Sequence, residues 1–125
     1  MGQPKCSSRF PAVNQPNDQE EMSDLEKRHL PTITAPARVR AGKRFEVSVE
    51  VGSLLPHPNE KEHFIRFIDL YAGDVYLTRA EFTAETTSPV LRAWPSLPGG
   101  AGPLVAYCRC NQHGTWKSSV PITVD

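Results

Sequence analysis

Metal binding and acid–base chemistry at neutral pH depend largely on histidine and cysteine, and this chain contains only four histidines and three cysteines. The segment "CNQHGTW", residues 110–116, places Cys110 three positions before His113, with a glycine directly after the histidine. Neutral imidazole and thiolate are good ligands for first-row transition metals, so this segment is a candidate metal-binding turn. The remaining histidines are His29 in "HLPTI", and His57 and His63 at the two ends of "HPNEKEH".

The donor set of these five side chains favours some metals over others. A structural zinc site has four ligands and typically includes paired cysteines, whereas this set offers four imidazoles and one thiol. Four nitrogens and one sulfur suit a five-coordinate iron whose sixth position is open. A blue-copper site combines cysteine and histidine with a weak axial methionine. The only methionines, Met1 and Met22, both lie in the head of the chain, and this position disfavours a blue-copper site. The alternative function is that of an electron-transfer protein that binds iron or copper.

The composition of the chain limits which binding partners and which cellular compartment we expect. The 14 basic and 14 acidic residues balance, so no overall field attracts nucleic acid or an anionic membrane. No apolar run approaches the roughly 20 residues of a membrane span, and the first residues show no apolar signal-peptide region. Three cysteines are an odd number that does not indicate a disulfide framework. We therefore predict free thiols in a reducing compartment, the cytoplasm.

The chain divides into a polar head and a body of short strands. Residues 1–24 are rich in Pro, Gln, Asn, Ser and acidic side chains, which predicts an extended N-terminal arm. "EEMSDLEKR" has the composition of a single helical turn, and Pro31 prevents a longer helix. Residues 25–125 are predicted to form the metal-binding domain.

Alternating hydrophobicity predicts that this domain is an antiparallel β-sandwich. In residues 43–51, Phe45 and three valines at alternate positions share one face, as expected of a half-buried strand. Residues 64–72 and 74–83 flank Gly73-Asp74 and predict a hairpin. Because a sandwich gathers its loops at two ends, histidines from separate loops can meet at one rim. Further predicted strands are 90–94, 103–110 and 118–124, with a weak edge strand at 37–41.

The three histidine-bearing segments together resemble the iron-binding segments of the superoxide reductases, the neelaredoxin and desulfoferrodoxin family. The resemblance covers roughly residues 24–125 and implies an immunoglobulin-like, seven-stranded β-sandwich. It implies one mononuclear iron (Fe²⁺/Fe³⁺) that reduces superoxide to hydrogen peroxide by one electron. The implied ligands are His29, His57, His63 and His113 as equatorial imidazoles and Cys110 as the axial thiolate.

Two further features follow from the resemblance. Desulfoferrodoxins carry a second iron on four N-terminal cysteines, whereas this chain has only Cys6 there and resembles the one-iron kind. Cys6 and Cys108 have no implied role, and Cys108 is expected to pack near the site. The family also implies an external electron donor such as rubredoxin and a homo-oligomer, a dimer or tetramer. A superoxide dismutase is the neighbouring enzymatic alternative.

One departure from the family pattern concerns the residues before the first histidine. The family has Glu-Lys directly before it, whereas this chain reads Glu26-Lys27-Arg28-His29, with one residue more. Either Arg28 takes the place of the lysine, or the loop bulges and Glu26 and Lys27 keep their roles. The implied roles are ligation of the oxidised iron by Glu26 and attraction of the anion by Lys27 or Arg28. Lys61 is a further candidate for this positive charge.

Overall fold

Residues 13–125 are described in the computed structural model of the chain, so Cys6 and the first half of the predicted arm lie outside the described residues. Residues 13–125 form ten strands and one short helix, and seven of the strands have four or more residues. The bounds are β1 (Val13–Asn14), α1 (Asp24–His29), β2 (Pro31–Thr34), β3 (Arg38–Val39), β4 (Val47–Val51), β5 (Ile65–Ala72), β6 (Val75–Glu81), β7 (Val90–Ala93), β8 (Leu104–Cys110), β9 (Gly114–Val120) and β10 (Thr123–Val124).

The strands form two main sheets and one small one. The larger sheet has the order β1-β9-β8-β5-β6, the smaller has the order β2-β4-β7, and β3 pairs with β10. Every pairing between strands of four or more residues is antiparallel, and the two-residue strands β1 and β10 add parallel pairs. This arrangement confirms the predicted all-β sandwich with seven principal strands.

The core lies between the two main sheets. The predicted alternation along β4 is observed, since Val47, Val49 and Val51 are buried while Glu50 on the opposite face is exposed. Side chains from β5 and β8 meet them from the larger sheet, among them the fully buried Leu70. Each such valine or leucine stabilises the fold by about 1.5–3 kcal/mol relative to exposure.

One strand prediction was wrong, and one strand of the smaller main sheet was not predicted. Residues 118–124 are not one strand, because Pro121 has no N–H to donate and ends β9. β9 begins earlier than predicted, at Gly114, which pairs directly with Cys110 across a tight turn at a φ of 86°. β2 was not predicted at all, since a four-residue strand that begins with proline carries little periodicity.

The helix α1 confirms the predicted helical turn before Pro31. Its first residue follows Ser23, whose hydroxyl accepts the N–H of Glu26 while the Glu26 carboxylate accepts the N–H of Ser23, a capping box. His29 is its last residue. No helix among the described residues is long and apolar enough to cross a membrane. The predicted boundary after residue 24 stays a prediction, although Val13 and Asn14 pair with β9.

Candidate metal centre

Four of the five predicted ligands converge at one end of the sandwich. His29 ends α1, Cys110 ends β8, and His57 and His63 lie on the loop between β4 and β5. Their possible ligand atoms all lie within 4.8 Å of one another. These residues are far apart in the sequence, and the sandwich brings them together as the loop argument predicts.

His29 is the most tightly held imidazole of the cluster. The residue is 1% exposed, and its Nδ1 lies 2.7 Å from the carbonyl oxygen of Leu25 one turn earlier. A carbonyl can only accept, so Nδ1 carries the proton and Nε2 presents a bare lone pair. The Trp116 ring stacks on the imidazole, with the planes 22° apart and the centroids separated by 5.1 Å. The hydrogen bond to the Leu25 carbonyl therefore fixes the tautomer of His29, and stacking on Trp116 fixes the orientation of its ring.

His57 is oriented in the same way and faces His29. Its Nδ1 lies 2.6 Å from the carbonyl oxygen of Pro58, which again assigns the proton to Nδ1 and leaves Nε2 bare. The Nε2 atoms of His57 and His29 are 3.2 Å apart. With both protons on the other ring nitrogens, no hydrogen lies between these atoms. Two lone pairs that face each other at this distance repel, unless a cation lies beside both.

The third imidazole has an unpaired nitrogen. His63 Nε2 is buried and has no hydrogen-bond partner among the described residues. Nitrogens about 2.1 Å from one metal ion lie about 3.0 Å apart when adjacent and about 4.2 Å apart when opposite. The observed 3.2 Å separation is close to that of two adjacent ligands of one ion, and the whole group spans at most 4.8 Å, slightly more than the distance between opposite ligands. The donor set and the orphaned nitrogen therefore fit a bound transition metal.

Burial keeps the three imidazoles in the form that binds metals. Desolvation lowers the pKa of His29 and His63 below the usual value, and it lowers the pKa of His57 to about 4. Neighbouring imidazoles lower the pKa of each further, because two positive rings repel. All three rings are consequently neutral at neutral pH, with lone pairs available to a metal.

Cys110 and His113 form the turn between β8 and β9. Cys110 is fully buried, and its sulfur accepts the backbone N–H of His113 at 3.4 Å. His113 is an exposed residue; its Nδ1 is 3.8 Å from the sulfur, and its ring centroid is 4.9 Å from that of His29. His113 thus lies at the rim of the cluster, outside the group whose donor atoms meet within 4.8 Å.

The charged residues before His29 have different surroundings. The Glu26 carboxylate takes part in the capping box, and Lys27 is half-buried on the same turn. Arg28 Nη1 donates to the carbonyl oxygen of Pro56 at 2.7 Å, which ties α1 to the loop that carries His57. Lys61 is exposed in the turn before His63.

Backbone shape also positions the His57 loop. Gly52 has a φ of 95°, in the left-handed region, and a Cβ at this position would lie 3.0 Å from the backbone nitrogen of His57. Both the conformation and the close approach require glycine. Sequence analysis did not single out this residue.

Sequence analysis did not predict the roles of several side chains that hold the ligands in place. Asn111 and Gln112 both donate to the carbonyl oxygen of Glu62, at 2.9 and 2.7 Å, which joins the Cys110 turn to the loop of His63. Trp116 donates to the carbonyl oxygen of His113 at 3.1 Å. All three lie within "CNQHGTW", so their position beside Cys110 was a usable signal. Cys108 is buried near the site, as expected, and burial raises the pKa of its thiol.

The fold and site define a β-sandwich protein with a cluster of three histidines and one cysteine that could hold a metal ion. The sequence profile of the family described as desulfoferrodoxin matches residues 21–119, and the chain therefore belongs to this family. A protein of Methanocaldococcus jannaschii is 38% identical over 112 residues, which cover 87% of this chain and 94% of that one.

Named relatives agree with this family. The superoxide reductase of Pyrococcus furiosus is 34% identical, over 77% of this chain and 89% of its own. The solved structure of the superoxide reductase (neelaredoxin) from Ignicoccus hospitalis superposes with a TM-score of 0.71 at 36% identity, covering 78% of this chain and 81% of that one. The resemblance inferred from the three histidine segments is thus confirmed at the level of the family.

Proposed function

We propose that this chain is a superoxide reductase, an oxidoreductase that converts superoxide to hydrogen peroxide at one mononuclear non-haem iron. The observation that carries the proposal is the pair of bare Nε2 atoms of His29 and His57, which face each other at 3.2 Å beside the unpartnered Nε2 of His63. Membership of the desulfoferrodoxin family and relatives named superoxide reductase support iron and superoxide as metal and substrate.

The proposed ligand set is four imidazoles and one thiolate. His29, His57 and His63 would bind through Nε2, and the buried Cys110 would bind through sulfur. His113 is proposed as the fourth imidazole because it is three residues from Cys110 and its ring lies 4.9–5.0 Å from two of the others. Since His113 is exposed, small displacements of its side chain meet little packing resistance.

The reaction balances with one electron and two protons: O₂•⁻ + e⁻ + 2H⁺ → H₂O₂. Bound iron would supply the electron and an open position for the anion, and an external donor such as rubredoxin would restore the electron. Water would supply the protons, since the exposed His113 places this end of the sandwich in contact with solvent. The N–H of His113 would stabilise negative charge on the Cys110 sulfur and so tune the metal.

For the charged residues, we assign attraction of superoxide mainly to Lys27. Arg28 is held by the Pro56 carbonyl, so we assign it the positioning of the His57 loop together with a contribution to the local positive charge. Glu26 closes the capping box, and its ligation of oxidised iron would require that box to open. Lys61 is exposed and adds to the same field. Charges within about 10 Å act on a small anion even though the net charge is zero.

The test is stoichiometry and spectroscopy of the iron-loaded protein. A superoxide reductase consumes donor electrons and evolves no oxygen, whereas a dismutase evolves oxygen and an electron carrier leaves superoxide unchanged. Oxidation should produce a sulfur-to-iron charge-transfer band that Cys110→Ser removes while the fold persists. The rate of superoxide reduction, measured by stopped flow, should fall and lose its salt dependence in Lys27→Ala. A preparation that binds copper rather than iron would contradict the proposal.

We also propose a cytoplasmic location and a homo-oligomer.

A further inference from the structure

Cys108 lies two residues before Cys110 on β8, and its side chain is fully buried on the same inward face. Its sulfur lies 3.1 Å from the backbone carbonyl oxygen of His29. Because a carbonyl oxygen only accepts hydrogen bonds, the thiol of Cys108 is the donor. The second cysteine of this strand therefore contacts the backbone of a proposed ligand, 79 residues away in the chain.

The His29 carbonyl needs such a partner, because it belongs to the last turn of a helix, where carbonyl oxygens have no partner within the helix. Helix α1 has six residues, far fewer than an isolated helix needs for stability in water. The capping box holds its first turn, and the Leu30 N–H donates to the Glu26 carbonyl at 2.9 Å near its end. The Cys108 thiol is a contact from the larger sheet to the end of this helix.

Loosening of this end would act on the imidazole in two ways. It would move the His29 backbone, and it would separate the ring Nδ1 from the Leu25 carbonyl that fixes its tautomer. Groups that orient a metal ligand typically change metal affinity by about 10–100-fold when removed. Loss of the hydrogen-bond donor to the His29 carbonyl is therefore expected to weaken metal binding by displacing the His29 imidazole.

We propose that Cys108 is a positioning residue that holds His29 in its ligating place through the S–H···O bond to the His29 carbonyl. This inference rests on the metal centre proposed above. The two cysteines of β8 then serve the site differently: Cys110 as a ligand, and Cys108 as the anchor of another ligand.

The chain offers matched variants for a test. Cys108→Ala and Cys108→Ser remove the same sulfur and leave cavities of similar size, but only serine retains a donor. Ser118→Ala is the control, because the Ser118 hydroxyl donates to the carbonyl oxygen of Pro31 at 2.6 Å, two residues beyond His29. It removes a bond of the same kind from the same segment without touching the His29 carbonyl.

The first measurement is titration of the metal-free full-length variants with Co²⁺, followed through the thiolate-to-cobalt charge-transfer band. Cys108→Ala should bind Co²⁺ about 10-fold more weakly than the unaltered protein, with a shifted band, while Cys108→Ser and Ser118→Ala stay within about 3-fold. Equal affinities and spectra of Cys108→Ala and Cys108→Ser would overturn the proposal.

The second measurement separates this inference from the proposed function. In metal-free protein, the amide of Leu30 should exchange about 10-fold faster in Cys108→Ala than in Cys108→Ser, since the anchor of the helix end is lost. Equal exchange rates would refute the anchor, even if the unaltered protein binds metal and reduces superoxide. Failure of the unaltered protein to bind Co²⁺ through Cys110 would instead refute the metal centre, and with it the ligating role of His29.

Discussion

Two polar clusters of this sandwich each contain a buried polar residue, Asp69 in one and His29 in the other, and their chemistry is opposite. On the outer face of the larger sheet, Asp69 is only 8% exposed, and its two oxygens accept from Arg79 Nε and Nη2 at 2.6 and 2.9 Å. At the end of the sandwich, the Nε2 atoms of His29 and His57 face each other as two acceptors. The first cluster pairs its carboxylate with a donor of the protein, while the second presents lone pairs that a bound cation would satisfy, as proposed above.

The difference shows that the hydrogen-bond partners of a buried polar group indicate whether it stabilises the fold or binds a ligand. Arg79 also packs over the Phe67 ring, at 3.9 Å from its centroid, so the guanidinium has both a carboxylate and an aromatic partner. Such a pair stabilises one arrangement of the strands β5 and β6 and needs no ligand. Unsatisfied nitrogens that converge on one point cost free energy in the metal-free protein, and binding of a metal recovers it.

His57→Ala is expected to have the largest effect, a strong loss of metal affinity with little change in the stability of the metal-free protein. Loss of a ligand should weaken metal binding more than about 100-fold, because even loss of an outer partner costs about 10–100-fold. The unfolding free energy of the metal-free protein should change by less than about 1 kcal/mol, since one of two repelling lone pairs is removed. Metal titration and urea denaturation measure the two effects. Lys61→Ala, on the same loop, is the control, and unaltered metal affinity of His57→Ala would disprove the ligand assignment.

Removal of the metal is the next largest effect. When free metal exceeds the dissociation constant 100-fold, a chelator should lower the unfolding free energy by about 2.7 kcal/mol. Asp69→Ala should show the same loss on chelation, whereas His57→Ala should show almost none. Denaturation curves with and without chelator give the comparison. An equal chelator effect in all three proteins would mean that the metal binds elsewhere.

A smaller effect is expected at the other cluster. Asp69→Ala leaves the partly exposed Arg79 without its bidentate partner and should lower the unfolding free energy by about 1–2 kcal/mol. Metal affinity should be unchanged. Glu81→Ala is the control, because its exposed carboxylate lies 3.6 Å from Arg79 and should contribute less than about 0.5 kcal/mol. A loss of metal affinity in Asp69→Ala would show that the two clusters are coupled.

Arg28→Ala should give the smallest effect. It removes one hydrogen bond, to the Pro56 carbonyl, and so loosens the loop that carries His57. One such bond contributes about 1 kcal/mol, which predicts a roughly 5-fold weaker metal affinity by titration. Arg28→Lys keeps the charge and separates this effect from charge attraction. Full metal affinity in Arg28→Ala would contradict the positioning role.

The sequence predicted the architecture and the convergence of the histidines better than the details of the site. Alternation along β4 is visible because burial on one face selects residue types with a period of two. The tautomers of His29 and His57 depend on the carbonyls of Leu25 and Pro58, and backbone carbonyls leave no trace in residue type. The contact of Cys108 with His29 likewise joins residues that become neighbours only in the folded sandwich.

Gly52 shows that a residue without a functional group can matter as much as one that has it. Any larger residue there would push on the backbone that carries His57, five positions later, and so displace an imidazole without altering its chemistry. In a random-mutagenesis screen for loss of metal binding, substitutions of Gly52 should therefore appear together with substitutions of the ligands. An engineer who transplants the site to another scaffold must copy the path of the main chain here as carefully as the side chains.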